Sequence, residues 1–165
     1  MRFLHTADWQ IGMRAVHVGA QATEVRNARL QAARRVVEAA QTHQADFLLV
    51  AGDVFEDNAV DRVLVQKVAD ILREARRPVF MIPGNHDPFV PGSVWQHAGW
   101  EGADDLRVLR DTQPVEVPGG TLYPCPLLAK TSQRDPTAWI HASDTAGIAV
   151  GLAHGDRPYR RRPHH

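Results

Sequence analysis

Hydrophobic and polar positions follow two different periods in the first half of the chain. Short, mostly apolar runs occupy Arg2–Ala7, Asp46–Ala51 and Val79–Ile82, and polar residues follow each of them, which is typical of buried strands that lead into loops. Between these runs, apolar residues recur at helical spacing over 21–44 and 61–75. Strands that alternate with helices predict a βαβαβ unit with a parallel sheet, so we expect an α/β fold.

The first predicted helix has an apolar face and a charged face. We place Val25, Ala28, Ala32, Val36 and Ala40 on the buried face. We place Arg29, Arg34, Arg35 and Glu38 on the opposite face. This is the pattern of an amphipathic helix that covers one side of a sheet.

The pattern changes after Pro91. Short apolar or alternating stretches, divided by Pro, Gly and Asp, indicate antiparallel strands at 105–110, 113–117 and 121–123. A short helix is predicted at 136–141, and a further apolar strand at 147–153 leads to His154. We therefore expect additional strands beside the βαβαβ unit.

Composition and charge restrict the class of protein. The chain has 165 residues, a length that suits a single domain, and its 19 basic and 19 acidic side chains cancel. Any binding of nucleic acid must then depend on local patches or metal ions. The lone Cys125 forms no internal disulfide, the chain start does not resemble a secretion signal, and no apolar run approaches the roughly 20 residues that span a bilayer. We expect a cytoplasmic protein without a membrane segment.

Polar side chains follow the predicted strands at their carboxyl ends. Asp8, Asp53 and Asn85 lie there, and open parallel sheets bind ligands beyond this edge. Together with His154 they offer two carboxylates, an amide oxygen and an imidazole, a set that suits Mn, Fe or Zn better than Ca. A carboxylate such as Asp53 can bridge two ions about 3.5–4 Å apart. The sequence thus predicts a site for two divalent metal ions.

Four motifs in chain order resemble those of the calcineurin-like metallophosphoesterases. They are His5–Asp8, Ala51–Phe55, Gly84–Asp87 and Leu152–Gly155. The stretches His5–Trp9 and Pro88–Trp95 look more specifically like the SbcD-type branch of DNA repair exonucleases. The resemblance covers about residues 1–155 and implies a nuclease domain that lacks its C-terminal part. It implies a calcineurin-like sandwich with an incomplete second sheet, and residues 156–165 would form a basic tail that is disordered or foreign.

The same resemblance implies a role for each candidate site residue. Asp8 and Gln10 would bind the first metal, Asp53 would bridge both metals, and Asn85 and His154 would bind the second. His86 would not be a ligand; it would stabilise charge on the phosphate or protonate the leaving oxygen. Asp87 would orient His86.

The implied activity is hydrolysis of phosphodiester bonds in DNA by a hydroxide that two metal ions activate. The ions would be Mn²⁺, with Fe or Zn as alternatives, and the partners would be DNA and a coiled-coil ATPase of the SbcC type. An uncovered edge of the second sheet would favour a homodimer.

Two departures from the family pattern leave alternatives open. Gln10 stands where the opening motif usually has a histidine, and His17 of the same loop is a possible substitute ligand. The fifth motif, Gly-His-x-His, is absent from the sequence. The chain could therefore be a weak or inactive module that binds DNA or a partner, or a phosphoesterase that acts on small nucleotides or phosphoproteins. Trp9 is either a core residue or a platform for base stacking.

Overall fold

The computed structural model of the chain describes residues 1–13, 16–141 and 147–155, and of residues 16–18 it describes the backbone alone. The helices and strands, in chain order, are β1 (Phe3–Thr6), α1 (Ala22–Thr42), β2 (Phe47–Ala51), α2 (Arg62–Arg73), β3 (Val79–Ile82), β4 (Leu106–Val108), β5 (Val115–Val117), β6 (Gly120–Cys125) and β7 (Ile148–Ala153). Short 3-10 helices lie at Val16–Gln21, Val94–Gln96 and Ala98–Trp100. The order from β1 to β3 is the βαβαβ unit that the sequence predicts.

The first sheet contains four parallel strands in the order β1-β2-β3-β4. Phe3 lies opposite Phe47, and Leu48 lies opposite Val79. Every residue of β2 and β3 is buried, as expected for central parallel strands that are covered on both faces. The parallel sheet is confirmed, and its strand ends meet at one edge.

The second sheet contains three strands in the order β5-β6-β7 within the described residues. Strand β5 runs antiparallel to β6, and β7 runs parallel to it. Two sheets with helices outside form the sandwich that we expected from the sequence. Among the described residues β7 has a strand partner on one side only.

Two hydrophobic clusters hold these layers together, and alternate residues of the central strands divide between them. The cluster under the helices includes Leu48, Val50, Met81, Ala33, Val37, Val65 and Val68. The cluster between the two sheets includes Phe47, Leu49, Phe80, Ile82, Val115, Leu122 and Leu152. The second cluster fixes β7 relative to β2 and thereby positions His154, the residue that follows β7.

The buried face of α1 differs from the predicted face. Ala33, Val37 and Ala40 are buried, whereas Ala28 and Ala32 are exposed. The helix has alanines on several sides, and alanine is too small and too common in helices to identify a buried face by its spacing. The helix is thus rotated about its axis relative to the predicted orientation, and Arg29 is partly buried instead of facing solvent.

After Pro91, the direction of one predicted strand and the prediction of one helix were wrong. The stretch 105–110 forms β4, which runs parallel to β3 in the first sheet and not antiparallel. Its alternating pattern fits any edge strand and carries no information on direction. The stretch 136–141 contains a turn and not a helix. Its backbone hydrogen bonds, from Ala138 to the Asp135 carbonyl and from Ile140 to the Thr137 carbonyl, span three residues each and do not form an α-helical ladder.

No helix in the described ranges has both the length and the apolar character that crossing a bilayer requires. The expected basic tail, residues 156–165, lies outside the described residues.

Candidate metal centre

The candidate site lies where β1, β2, β3 and β7 end. Asp8 follows β1, Asp53 follows β2, Asn85 and His86 follow β3, and His154 directly follows β7. The first three strands are parallel neighbours, so their carboxyl ends share one edge. The second sheet adds His154 from the opposite layer.

Two glycines allow the loops after β2 and β3 to approach each other and the histidine. A Cβ atom on Gly52 would lie 2.8 Å from both the Gly84 Cα and the His154 Cγ. A Cβ atom on Gly84 would lie 2.2 Å from Oδ1 of Asp53. Neither position has room for a side chain, so the glycines set the dimensions of the site.

The loop after β1 has an unusual backbone. Asp8 and Gln10 have φ values of 57° and 46°, in the left-handed region that costs a non-glycine residue about 1–2 kcal/mol. Hydrogen bonds to the loop after β2 hold this conformation: the Asp8 N–H donates to the Gly52 carbonyl over 3.2 Å, and the Gln10 N–H donates to the Asp53 carbonyl over 2.9 Å. The two loops are thereby joined, and both carry candidate ligands.

Trp9, between these two residues, is a core residue. It is 8% exposed, and its indole N–H donates to the Thr6 hydroxyl over 2.8 Å. The structure therefore supports the core position of Trp9 and not the base-stacking platform.

The imidazole of His154 is held at both nitrogens. Nδ1 lies 2.7 Å from the Ala51 carbonyl oxygen, while Nε2 lies 2.8 Å from Oδ1 of Asn85 and 3.2 Å from Oδ2 of Asp53. A carbonyl only accepts hydrogen bonds, so Nδ1 carries the hydrogen in this contact. In the neutral ring the Nε2 lone pair then faces two oxygen atoms.

These distances fit a bound cation. Three electron-rich atoms that face one another repel, and a positive ion among them removes the repulsion. Octahedral ligands that bind an ion at about 2.1 Å lie about 3 Å from one another, close to the observed separations. The Nδ1 contact to a backbone carbonyl is also the second contact that metal-binding histidines usually make.

Asp8 completes the group of acidic and imidazole ligands. One potential ligand atom each from Asp8, Asp53 and His154 lie within 4.8 Å of one another. Asp8 is exposed and Asp53 is 3% exposed, so the set has an open side and a buried side. Buried carboxylates are costly unless they are paired or bind a cation, and this arrangement suits metal binding.

His86 lies beside this group with one ring nitrogen occupied. Its backbone N–H donates to Oδ1 of Asp53 over 2.9 Å, and its Nδ1 lies 3.1 Å from the Glu56 carbonyl oxygen. The carbonyl requires the hydrogen on Nδ1, so Nε2 is the nitrogen that can exchange a proton with a substrate.

Asp87 holds the loops and not the ring of His86. Its carboxylate is fully buried and accepts hydrogen bonds from the N–H groups of Asp53, Phe55 and Gly84, over 3.2, 3.0 and 2.8 Å. Burial raises the pKa of Asp87 to about 7, although the three N–H donors act in the opposite direction. Asp87 therefore fixes the backbone that presents Asp53.

Two further candidate ligands for the first metal are Gln10 and His17. Gln10 lies beside Asp53 through its backbone N–H. The side chain of His17, the suggested substitute, lies outside the described part of the chain.

The sequence pattern missed three groups in or beside the site: the Ala51 carbonyl, the Glu56 carbonyl and the Arg29 side chain. Nη1 of Arg29 donates to the Trp9 carbonyl over 2.8 Å, in the loop that carries Asp8 and Gln10. Backbone carbonyls occur at every residue and leave no signal in a sequence. The position of Arg29 depends on the rotation of α1, which alanine spacing did not reveal.

A two-sheet α/β sandwich with carboxylate, amide and imidazole groups at its strand ends is an architecture suited to metal-dependent hydrolases. The family model for calcineurin-like phosphoesterases matches residues 1–162, and the chain belongs to this family. The resemblance seen in the four motifs is thereby confirmed. Hydrolase activity and the binding of divalent metal ions are properties of the family.

Two curated relatives are similar to parts of the chain. Over 91 residues, 53% of this chain, it is 35% identical to one of the subunits of the nuclease SbcCD of Escherichia coli strain K12, and the match covers 21% of that protein. Over 141 residues, 79% of this chain, it is 23% identical to the uncharacterized metallophosphoesterase YhaO of Bacillus subtilis strain 168, covering 34% of it. The chain thus spans about a fifth to a third of the length of these relatives.

Proposed function

We propose that this protein hydrolyses phosphodiester bonds in DNA with two divalent metal ions, of which Mn²⁺ is the expected one and Fe or Zn are alternatives. Membership of the phosphoesterase family supports the reaction. Similarity to a protein named as part of a nuclease supports DNA as the substrate. The domain that carries this activity comprises residues 1–155.

Each candidate ligand has a place in this proposal. Asp8 and Gln10 would hold the first ion, Asn85 and His154 would hold the second, and Asp53 would contribute to both positions. The observation that carries the proposal is the position of His154 Nε2, which faces Asp53 Oδ2 and Asn85 Oδ1 at 3.2 and 2.8 Å. Three potential ligand atoms from separate strand ends at these separations suit a shared cation.

The bound cations would withdraw charge from the phosphate and lower the pKa of water so that it attacks near neutral pH. The side chains of the protein would offset the charge of the cations and assist the leaving group. Asp53, fixed by Asp87 through the loop backbone, offsets the positive charge. His86, with Nδ1 donating to the Glu56 carbonyl, presents Nε2 to the phosphate, where it stabilises negative charge or delivers a proton to the leaving oxygen.

A second candidate function is a weak or inactive module that binds DNA or a partner. It is favoured by Gln10, whose amide oxygen is a poorer ligand than imidazole for transition metals. Loose binding at the first position would then limit activity.

Titration of the purified protein with Mn²⁺, followed by hydrolysis assays, separates these functions. We expect two bound ions and Mn²⁺-dependent release of nucleotides from linear duplex DNA, faster than turnover of bis-p-nitrophenyl phosphate. Turnover of small esters without DNA cleavage would favour a small-molecule phosphoesterase. No hydrolysis of either substrate, with DNA binding retained, would favour the inactive module.

We further propose a cytoplasmic location and a coiled-coil ATPase of the SbcC type as partner, because one relative belongs to the SbcCD nuclease. Size-exclusion chromatography with such a purified ATPase tests the partnership: co-elution supports it, and separate elution opposes it. Chromatography of the protein alone tests the homodimer, which stays a prediction.

A further inference from the structure

Arg29 of α1 reaches the loop that carries Asp8 and Gln10. Its Nη1 donates a hydrogen bond to the Trp9 carbonyl over 2.8 Å, and its Nη2 lies 3.4 Å from Sδ of Met13. The side chain is partly buried and spans from the helix to both sides of the loop. Arg29 is thus bound to this loop and not solvated.

The carbonyl that Arg29 binds belongs to the peptide unit between Trp9 and Gln10. The N–H of the same peptide unit is the Gln10 N–H, which donates to the Asp53 carbonyl over 2.9 Å. A peptide unit is planar, so its orientation is fixed when one partner binds its oxygen and another binds its N–H. That orientation sets the φ of Gln10, which has the left-handed value of 46°.

Among the described residues, the loop after β2 supplies the acceptors for three backbone N–H groups of this loop. The N–H groups of Asp8, Gln10 and Ile11 donate to carbonyls of Gly52, Asp53 and Val54, all in the loop after β2. Arg29 supplies the hydrogen bond from the helix layer. Left-handed residues persist only where surrounding contacts hold them, and Arg29 supplies one such contact on the carbonyl side.

We propose that Arg29 is a positioning residue for the first metal position. By fixing the Trp9–Gln10 peptide unit, it holds the loop that carries Gln10 and that places the Asp8 carboxylate near Asp53. This inference rests on the proposed function, because it assigns Arg29 an effect on metal binding. Loss of a residue that orients metal ligands typically weakens metal affinity about 10- to 100-fold.

The test compares Arg29→Met, which keeps a similar stem but no hydrogen-bond donor, with Arg29→Lys, which keeps the charge. Arg26→Met is the matched control: Arg26 lies nearly one turn earlier on α1 and is exposed, and its side chain donates a hydrogen bond to the Thr23 hydroxyl of the same helix. Each variant is titrated with Mn²⁺ by calorimetry and assayed for DNA hydrolysis over a range of Mn²⁺ concentrations. The indole N–H resonance of Trp9 is recorded in the metal-free proteins.

For Arg29→Met we expect about tenfold or greater loss of affinity for one ion, unchanged affinity for the other, and kcat restored at high Mn²⁺. The Trp9 resonance should shift in Arg29→Met but not in Arg26→Met, and Arg29→Lys should be intermediate. Wild-type affinity for both ions in Arg29→Met would overturn the inference and leave the proposed function intact. If the wild-type protein bound no Mn²⁺, the proposed function would fail first and this inference with it. If Arg29→Met did not fold, Arg29→Lys would supply the same comparison.

Discussion

Nε2 of His154 lies 2.8 Å from Oδ1 of Asn85, although the two residues are 69 positions apart in the chain. Asn85 follows β3 of the first sheet, and His154 follows β7 of the second. The contact therefore exists only when the two sheets are packed together. An ion that binds both residues would join the layers and stabilise the folded chain.

Metal binding should raise the thermal stability of the wild-type protein. Mn²⁺ at 100 times its dissociation constant adds about 2.7 kcal/mol, which raises Tm by about 5–10 °C for a chain of this size. Asp53→Asn removes the central carboxylate, so we expect its Tm to be insensitive to Mn²⁺ and to EDTA. Differential scanning fluorimetry measures the shift. An equal shift in both proteins would show that the ion binds elsewhere.

His86→Ala should lower activity without weakening metal binding, because the proposed function assigns the ring to the phosphate and not to the ions. General acid–base groups contribute about 100- to 10,000-fold to rate, and we expect kcat to fall within this range. His43→Ala is the matched control, since His43 is exposed at the end of α1. Steady-state kinetics measures kcat, and Mn²⁺ titration measures the affinity for the metal. Loss of Mn²⁺ affinity in His86→Ala would identify the ring as a ligand instead.

Asp87→Ala should destabilise the metal-free protein. The substitution leaves the N–H groups of Asp53, Phe55 and Gly84 buried without their acceptor, at about 1–3 kcal/mol each. We expect the free energy of unfolding to fall by at least about 3 kcal/mol in urea titrations. Asp104→Ala, at an exposed aspartate, should change it little. Similar stability of the two variants would contradict the role given to Asp87.

The stability of the metal-free protein should also carry a pH signature of Asp87. Burial raises the pKa of this carboxyl from 3.8 to about 7, so the folded chain holds a proton that the unfolded chain has lost between these values. The stability that this proton contributes is complete below pH 3.8 and is lost as pH rises toward 7. We expect wild-type stability, relative to Asp87→Asn, to decrease across this window in urea titrations. A constant difference would show that Asp87 is ionised throughout.

Gly84→Ala should disrupt the site, because the added Cβ would lie 2.2 Å from Oδ1 of Asp53 and 2.3 Å from its backbone nitrogen. The loops must separate, so we expect loss of Mn²⁺ binding and of hydrolysis. Gly151→Ala is the control, since among the residues that the structure describes its Cβ would meet only Cδ1 of Ile140, at 3.5 Å, an ordinary contact. Calorimetric titration compares the two. Wild-type binding by Gly84→Ala would mean that the two loops can separate without loss of the site.

The sequence was most informative where side chains carry the chemistry. Four candidate ligands lie within three residues of the end of an apolar run: Asp8, Asp53, Asn85 and His154. Both the alternation of strands with helices and the four motifs locate them at strand ends. Parallel pairing then brings the first three together without further information. The parallel order of β1, β2 and β3 was predictable for the same reason.

Other features had no signal in the pattern of residues. The Ala51 and Glu56 carbonyls, which fix the ring nitrogens of His154 and His86, are backbone atoms that every residue has. The direction of β4 depends on its neighbour β3 and not on its own alternation. The burial of Arg29 depends on how α1 packs, which tertiary contacts decide.

Anomalous diffraction from crystals grown with Mn²⁺ tests the central claim most directly. We expect a manganese peak bonded to Asp53, His154 Nε2 and Asn85 Oδ1, and a second, weaker peak beside Asp8 and Gln10. Crystals saturated with Mn²⁺ that showed no peak at Asp53, or a peak bound by other residues, would contradict it.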